Sequence, residues 1–501
     1  MKFRISPLKE RFKKKKISLK RITVAIIIAA GIGGYFVFQK PSFSETRENT
    51  QLSQRQIDRS MPFGMHTGIT RPFMEPDEKP SLSGFHYNDA INIGLGWERP
   101  GMYASHPLNT KLMDVIYGDI PKGINIIANI ETPRKKGTFK LRVSEQTYVN
   151  FVKQLTERYD GDGIDDMPGL KNPIKHWQID NEPPVWQFGM NDKLPPAALA
   201  EWMRSARDDY AHILEIADNA IKSACSDCKT IIGGMISEFP DVFQEFFKPI
   251  LKKLNGKHID VFDFHLFGNN EDGYKKSKPI YETIHKALDD YGYKNTEIWI
   301  LETGTPSGSP VDEVTGQPYP GLAILEKDQA GNLIKRLIYP LTFGVKKTLW
   351  AWAMVEGTSP IDNNDVFDNT GLIYDGIGTN DPGYGIKKLS YYTYKKMVEI
   401  LEGSDWNNIQ TIQESDGIYI YEFTKNGKPI WVAWNDNSQE KQITISGIST
   451  SQAKTTEAVP EYETGKDVKD YNTAFNTEIK TVTAGKVTVS AGKSPVFVEE
   501  K

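Results

Sequence analysis

Two short segments each carry a glutamate where a carboxylate can do chemistry: Trp177-Gln178-Ile179-Asp180-Asn181-Glu182-Pro183 and Glu297-Ile298-Trp299-Ile300-Leu301-Glu302-Thr303. Each is an apolar, strand-like run that closes on an acid. Strands that deliver carboxylates at their C-terminal ends suit a barrel whose chemistry sits at that end. Two carboxyl groups facing each other at roughly 5–5.5 Å can break a glycosidic bond, one as acid/base and one as nucleophile. The acid/base must hold a proton near neutral pH, which asks for partly apolar surroundings or a nearby like charge. Trp177, Trp186 and Phe188 flank Glu182 in the chain. The nucleophile must stay ionised, and Arg99, just past a candidate strand, is a suitable charge partner for Glu302. A lone glutamate at a strand end is ordinarily a surface charge. Two of them with such neighbours argue for a site.

The elements that would position these residues emerge from periodicity. Candidate strands are 63–66, 91–97, 124–129, 174–179, 230–236, 259–266, 297–301 and 348–354. Glu182 then comes after the fourth and Glu302 after the seventh. Between them lie helical patterns: Tyr148, Phe151, Val152 and Leu155 recur at i, i+3, i+4, i+7, as do Tyr210, Ile213, Leu214 and Ala217. Strands alternating with helices predict a (β/α)8 barrel over residues 61–403. Its first helix is poorly marked. Leu389, Tyr392, Met397, Ile400 and Leu401 predict a last amphipathic helix. Beyond Gly403 the helical signal stops. Gly417–Phe423 and Pro429–Trp434 flank Asn426-Gly427, a hairpin signature. Further runs at 442–446, 486–489 and 495–498 make 404–501 a small all-β sandwich.

The chain has 501 residues, too many for one compact core, and a net charge of −4 that gives no reason to expect nucleic acid as a partner. Residues 1–21 are strongly basic and lead into an uncharged apolar run, 22–38. This order fits an N-terminal membrane anchor or a secretory signal; the run is long for a signal, and Ser42-Phe43-Ser44 is a weak cleavage site. Either reading puts the chain beyond the polar linker, 39–60, outside the cytoplasm. Cys225 and Cys228, the only cysteines, suit a local disulfide. Asp160, Asp162 and Asp166 are spaced as calcium ligands could be, or as a solvated turn; Asp362-Asn363-Asn364-Asp365 reads as a loop. No cofactor is expected, and the sequence says nothing of oligomeric state.

Asn181-Glu182-Pro183 on the fourth strand with Glu302 on the seventh resembles the clan A glycoside hydrolases, which are TIM barrels. Gly371-Leu372-Ile373, Lys387-Lys388-Leu389-Ser390-Tyr391-Tyr392 and the closing Ser494-Pro495-Val496-Phe497-Val498 resemble family 39 and its near relatives. The resemblance spans roughly residues 61–500. It implies that Glu182 is the acid/base, Glu302 the nucleophile, and Asn181 a partner of the sugar 2-hydroxyl. It further implies that Arg99 orients Glu302, that His265 lines the pocket, and that Trp352 is the floor on which a sugar ring stacks. From their places on the strands, Trp97 could also stack on sugar and Asn129 could touch it. The sequence departs from the pattern at Phe267, where many relatives carry a tyrosine near the end of the sixth strand; Tyr274 is the nearest substitute. The expectation is a retaining glycosidase acting on a carbohydrate outside the cytoplasm. A transglycosylase would share the site. A glycan-binding protein without catalysis is the third reading, and the presence of both glutamates weighs against it.

Overall fold

The computed structural model describes residues 58, 60–69, 86–101, 110–135, 138–186, 196–237, 241–268, 273–310, 324–357, 366–376 and 381–501. The apolar run 22–38, the linker up to 57, Phe188 and the 362–365 loop lie outside them. Among the described residues, no helix is long and apolar enough to cross a membrane.

Eight parallel strands make the barrel: β1 (Phe63–His66), β2 (Trp97–Arg99), β3 (Asn125–Ile130), β4 (His176–Ile179), β5 (Lys229–Ile232, resuming at Met235–Ile236), β6 (Val261–Leu266), β7 (Glu297–Thr303) and β8 (Thr348–Trp350). Pairing runs from β5 through β1 and β8 to β6, and Ile231 opposite Val261 closes the ring. Its helices include α1 (Tyr87–Ile93), α2 (Thr110–Asp119), α3 (Glu145–Tyr159), α4 (Pro196–Ala224), α5 (Lys248–Leu254), α6 (Ser277–Asp290), α7 (Glu326–Ile338) and α8 (Leu389–Leu401). Both predicted apolar stripes are buried: that of α3, whose Ser144 hydroxyl accepts the Thr147 N–H at 3.2 Å, and that of α4.

The expected strand over 91–97 is a correction. Residues 87–93 are α1, ended by Gly94 at φ +73°, and β2 begins only at Trp97. The run Ala90-Ile91-Asn92-Ile93 is apolar at a density that short helices and strands share, so periodicity does not separate them.

Trp97, Ile127, Ile231, Val261, Trp299, Leu301 and Leu349 meet inside the barrel and fill its lower part. Period-two alternation then sends Arg99, Asn129 and Gln178 inward one layer higher.

The C-terminal strands are β9 (Gln410–Ser415), β10 (Ile418–Lys425), β11 (Lys428–Asn435), β12 (Lys441–Ser446), β13 (Gln452–Glu457), β14 (Thr477–Thr481), β15 (Lys486–Ala491) and β16 (Val496–Glu500). The hairpin signature is realised as β10–β11, with Asn426 and Gly427 both at positive φ. An antiparallel six-stranded sheet and the β12–β15 pair share one apolar cluster, with Ile420 and Trp431 from the large sheet and Ile443, Ile445 and Val487 from the small one. These strands and the barrel belong to one compact unit, residues 48–501. Lys335 of α7 pairs with Asp436 at 2.8 Å, and Glu326 Oε2 accepts the N–H groups of Leu389 and Gly465, each at 2.8 Å.

Candidate active site

Glu182 and Glu302 stand together at the C-terminal mouth. Their nearest carboxylate oxygens and a ring nitrogen of His265 all lie within 4.8 Å of one another. Both glutamates are buried.

Glu302 points inward because β7 contains a bulge. Asp263 sits opposite Trp299 but His265 sits opposite Glu302, so β7 spends one residue more than β6 over this stretch. Against β8 the same slip appears between Ile300 and Thr303. Trp299, Leu301 and Glu302 therefore all face the interior, which simple alternation forbids. The side chain of Asp263 accepts the Leu301 N–H at 3.0 Å, within this irregular stretch.

Arg99 holds three partners at once. Its Nη1 donates to Glu302 Oε1 at 2.6 Å, its Nη2 to Asn181 Oδ1 at 2.7 Å, and its Nε to Gln178 Oε1 at 2.7 Å. Gln178 passes the network on by donating to Asp263 Oδ2 at 2.7 Å. His265 Nε2 lies 3.1 Å from the same oxygen, and its Nδ1 lies 2.5 Å from Glu182 Oε1 and 3.5 Å from Glu302 Oε2. Burial alone would lower the His265 pKa; the charges of Glu302 and Asp263 outweigh it and hold the ring well above the ordinary value. His265 is thus an imidazolium ringed by carboxylates. Burial raises the Glu302 carboxyl above its usual range and the Glu182 carboxylate adds to the rise, while His265 and Arg99 limit it.

His265 needs room that only glycine leaves. A Cβ on Gly234, in the break of β5, would come within 2.1 Å of His265 Nε2.

His66 ends β1 beside the cluster and is a site residue the sequence reading missed. Its Nδ1 donates to the Arg99 carbonyl at 2.8 Å, and burial, then the Arg99 charge, lowers its pKa far below the ordinary value. The ring is neutral, so its 3.6 Å approach to Glu302 is no ion pair. Gln178 and Asp263 were missed too. Asp263 stands two residues before His265, so period two would have flagged it; Gln178 has no such recognised neighbour on its strand.

Asn181, Arg99 and His265 come together around the glutamates, and Asn129 reaches this network only through Gln178, at 3.4 Å. Asn129 donates to the Asp180 carbonyl at 3.0 Å, and its Oδ1 is buried without a protein partner. Trp352 is half-buried, its ring 4.6 Å from that of His66, whereas Trp350 is fully buried in the core. Trp97 does not reach the site. Its indole lies in the lower barrel, donates to Met61 O at 2.7 Å and packs edge-on to Trp299. Two residues before Arg99 on an inward-facing strand means one layer down, away from the mouth. Trp177 faces the helices, since its inward neighbours are His176 and Gln178, and does not shield Glu182. Tyr274 donates to Asp436 Oδ2 at 2.6 Å, at the β domain, and so does not replace the tyrosine absent at Phe267.

Two other expectations concern residues away from the mouth. Cys225 and Cys228 form a disulfide. Asp160, Asp162 and Asp166 gather their oxygens within 4.8 Å, but the carboxylates already accept the N–H groups of Asp162, Ile164, Gly161 and Gly163. Burial pushes Asp160 up to about 6. Turn hydrogen bonding accounts for the arrangement.

Fold and site together define a (β/α)8 barrel with a paired-carboxylate mouth and a closing β domain. No protein-family model and no curated protein sequence matches the chain. Solved structures do match. A family 39 glycoside hydrolase from Bacteroides cellulosilyticus WH2 aligns with a TM-score of 0.57 at 14% identity, over 89% of this chain and 82% of that one. A family 51 α-L-arabinofuranosidase from Bifidobacterium longum gives 0.53 at 13%, over 89% and 96%. A glucosidase from Croceicoccus marinus gives 0.51 at 16%, over 89% and 98%. At these identities the likeness establishes the fold.

Proposed function

We propose that the chain is a retaining glycoside hydrolase acting on an oligo- or polysaccharide outside the cytoplasm. The observation that carries this is the close approach of Glu182 and Glu302, with oxygens within 4.8 Å across a barrel mouth. An inverting pair stands about 6.5–9.5 Å apart to admit a water, so this spacing supports double displacement. Glu302 attacks the anomeric carbon as Glu182 gives its proton to the departing oxygen. Water then attacks the glycosyl-enzyme, Glu182 takes a proton from it, and the Glu302 ester bond breaks. Arg99 and His265 supply positive charge beside Glu302 throughout. Asn181 spends its Oδ1 on Arg99, leaving its amide N–H groups for a sugar hydroxyl. Trp352 offers the stacking surface. The N-terminal basic and apolar stretches and the Cys225–Cys228 disulfide support an extracytoplasmic, membrane-anchored protein.

Incubation with a panel of activated fluoroglycosides tests the reading. Mass spectrometry is expected to find one sugar bound at Glu302, and Glu302→Gln is expected to abolish turnover with the fold intact. Adducts on another residue, or product of inverted configuration by proton NMR, would refute the mechanism. Transfer of the sugar to a second sugar in preference to water would move the enzyme to the transglycosylases.

A further inference from the structure

The turn that presents Glu182 is conformationally expensive. Directly after β4, Asp180 stands at φ +61° and Glu182 at φ +43°, two non-glycine residues in the left-handed region within three positions. Such residues cost about 1 kcal/mol or more each and persist only where their surroundings over-determine them.

The surroundings are specific. The Asp180 side chain is fully buried and accepts three hydrogen bonds, from the Thr132 N–H at 2.8 Å, the Thr132 hydroxyl at 2.8 Å and Arg134 Nη1 at 2.5 Å. Its own N–H donates to Ile130 O at 2.9 Å, and its carbonyl accepts from Asn129 Nδ2 at 3.0 Å. Residues 129–134, the end of β3 and the segment after it, thus engage every polar group of Asp180. That segment is itself braced. Lys135 N–H donates to Lys140 O at 2.9 Å, Arg142 N–H to Pro133 O at 2.8 Å, and the Arg134 guanidinium lies 5.4 Å over the Phe139 ring. Phe139 is buried against Tyr210, ring centroids 4.8 Å apart, and the Tyr210 hydroxyl donates to Ile179 O at 2.7 Å. The brace therefore returns to the residue before the turn.

We propose that Asp180 is a positioning residue, which with Thr132 and Arg134 locks the turn so that Asn181 meets Arg99 and Glu182 meets His265. Its carboxylate is committed to Thr132 and Arg134 and touches no reacting atom. The catalytic consequence rests on the glycosidase reading; the geometric one does not. Displacement of a general acid by about 1 Å can cost on the order of 10²-fold in rate. The loss would fall on the step that needs the proton.

The test compares the full chain with Asp180→Asn and, as benchmark, Glu182→Ala, on dinitrophenyl and phenyl glycosides of xylose, arabinose, glucose and galactose. Asp180→Asn keeps the shape but gives up the charge that Arg134 pairs with. The expected result is a loss of about 10²-fold in kcat/KM on the phenyl glycoside and a much smaller loss on the dinitrophenyl one, which needs little acid assistance. Arg134→Gln should show the same pattern and Arg134→Lys should largely rescue it; these variants serve if Asp180→Asn fails to fold. A second readout is independent of activity: the imidazole proton that His265 shares with Glu182, followed by NMR on histidine-labelled protein, should move upfield in Asp180→Asn. Equal losses on both glycosides, or an unmoved imidazole proton, would overturn the proposal. If the native chain turns over no glycoside but the proton moves in the variant, the positioning stands and the glycosidase reading falls.

Discussion

His265 is the residue on which the electrostatics of the mouth converge. It faces Glu182, Glu302 and Asp263, with Arg99 beyond Glu302, and it is charged because those carboxylates overcome its burial. A cation beside Glu302 favours the ionised carboxylate, so its removal raises a carboxyl pKa that burial already holds high. His265→Asn is therefore expected to move the acid limb of the kcat/KM profile to higher pH, where a residue that only fills space would leave the limb in place. A pH series on the variant checks this. At this scale much was legible in the sequence. Glu182, Glu302 and Arg99 are legible from strand ends, Asn181 and His265 only through the family resemblance, and all five meet. His66 escaped because a single histidine closing a four-residue apolar run carries no pattern of its own. Trp97 misled for a geometric reason: alternation gives the face of a strand but not the depth along it.

Two elements do work that alternation alone would not reveal. The bulge in β7 aims Glu302, and the Gly233-Gly234 break in β5 opens space. A Cβ at Gly233 would come within 2.8 Å of Pro183, the residue after Glu182, while one at Gly234 would collide with His265. The sequence reading ran one strand through both glycines, and nothing in their immediate neighbours announces the interruption. Gly234→Ala is expected to displace the imidazole and cost about 1–3 kcal/mol through overpacking. Denaturant unfolding measures the second effect; the downfield imidazole proton reports the first. Loss of that proton with little loss of stability would mean the ring had moved aside into free space. Seven of the eight strands were legible as largely apolar runs bounded by turn residues; β2 is Trp97-Glu98-Arg99, with two charges in three residues. Their ends were less so: β2 lost its place to α1 because Ala90 to Ile93 suits either element.

For the whole molecule, the β domain is fastened to the barrel by buried polar contacts. Lys335 is nearly inaccessible and pairs with Asp436, which also takes Lys275 at 2.6 Å and the Tyr274 hydroxyl. Removing the acid from a buried charge cluster is destabilising, by about 3–5 kcal/mol. Asp436→Ala is expected to destabilise the chain by that order, and a chain cut at residue 403 to be poorly soluble. Thermal unfolding and size-exclusion chromatography measure both. The change from helix to strand is visible in the sequence as the end of helical periodicity, and α8 ends at Leu401 before β9 begins at Gln410. The dependence across it is not visible, since Lys335 and Asp436 lie far apart in the chain and neither belongs to a motif.

Arg99 and Glu182 come from the first half of the barrel, Glu302 and His265 from the second, and both charged contacts, Arg99 with Glu302 and the His265 imidazolium with Glu182, run from one half to the other. Parted from the second half, Arg99 would lose the carboxylate it pairs with and Glu182 its imidazolium. A half-barrel that collapsed alone, or two halves joined one strand out of register, would bury those charges unmatched. The arrangement that equips the mouth for chemistry thus also works as a key, rewarding one way of bringing the two halves together.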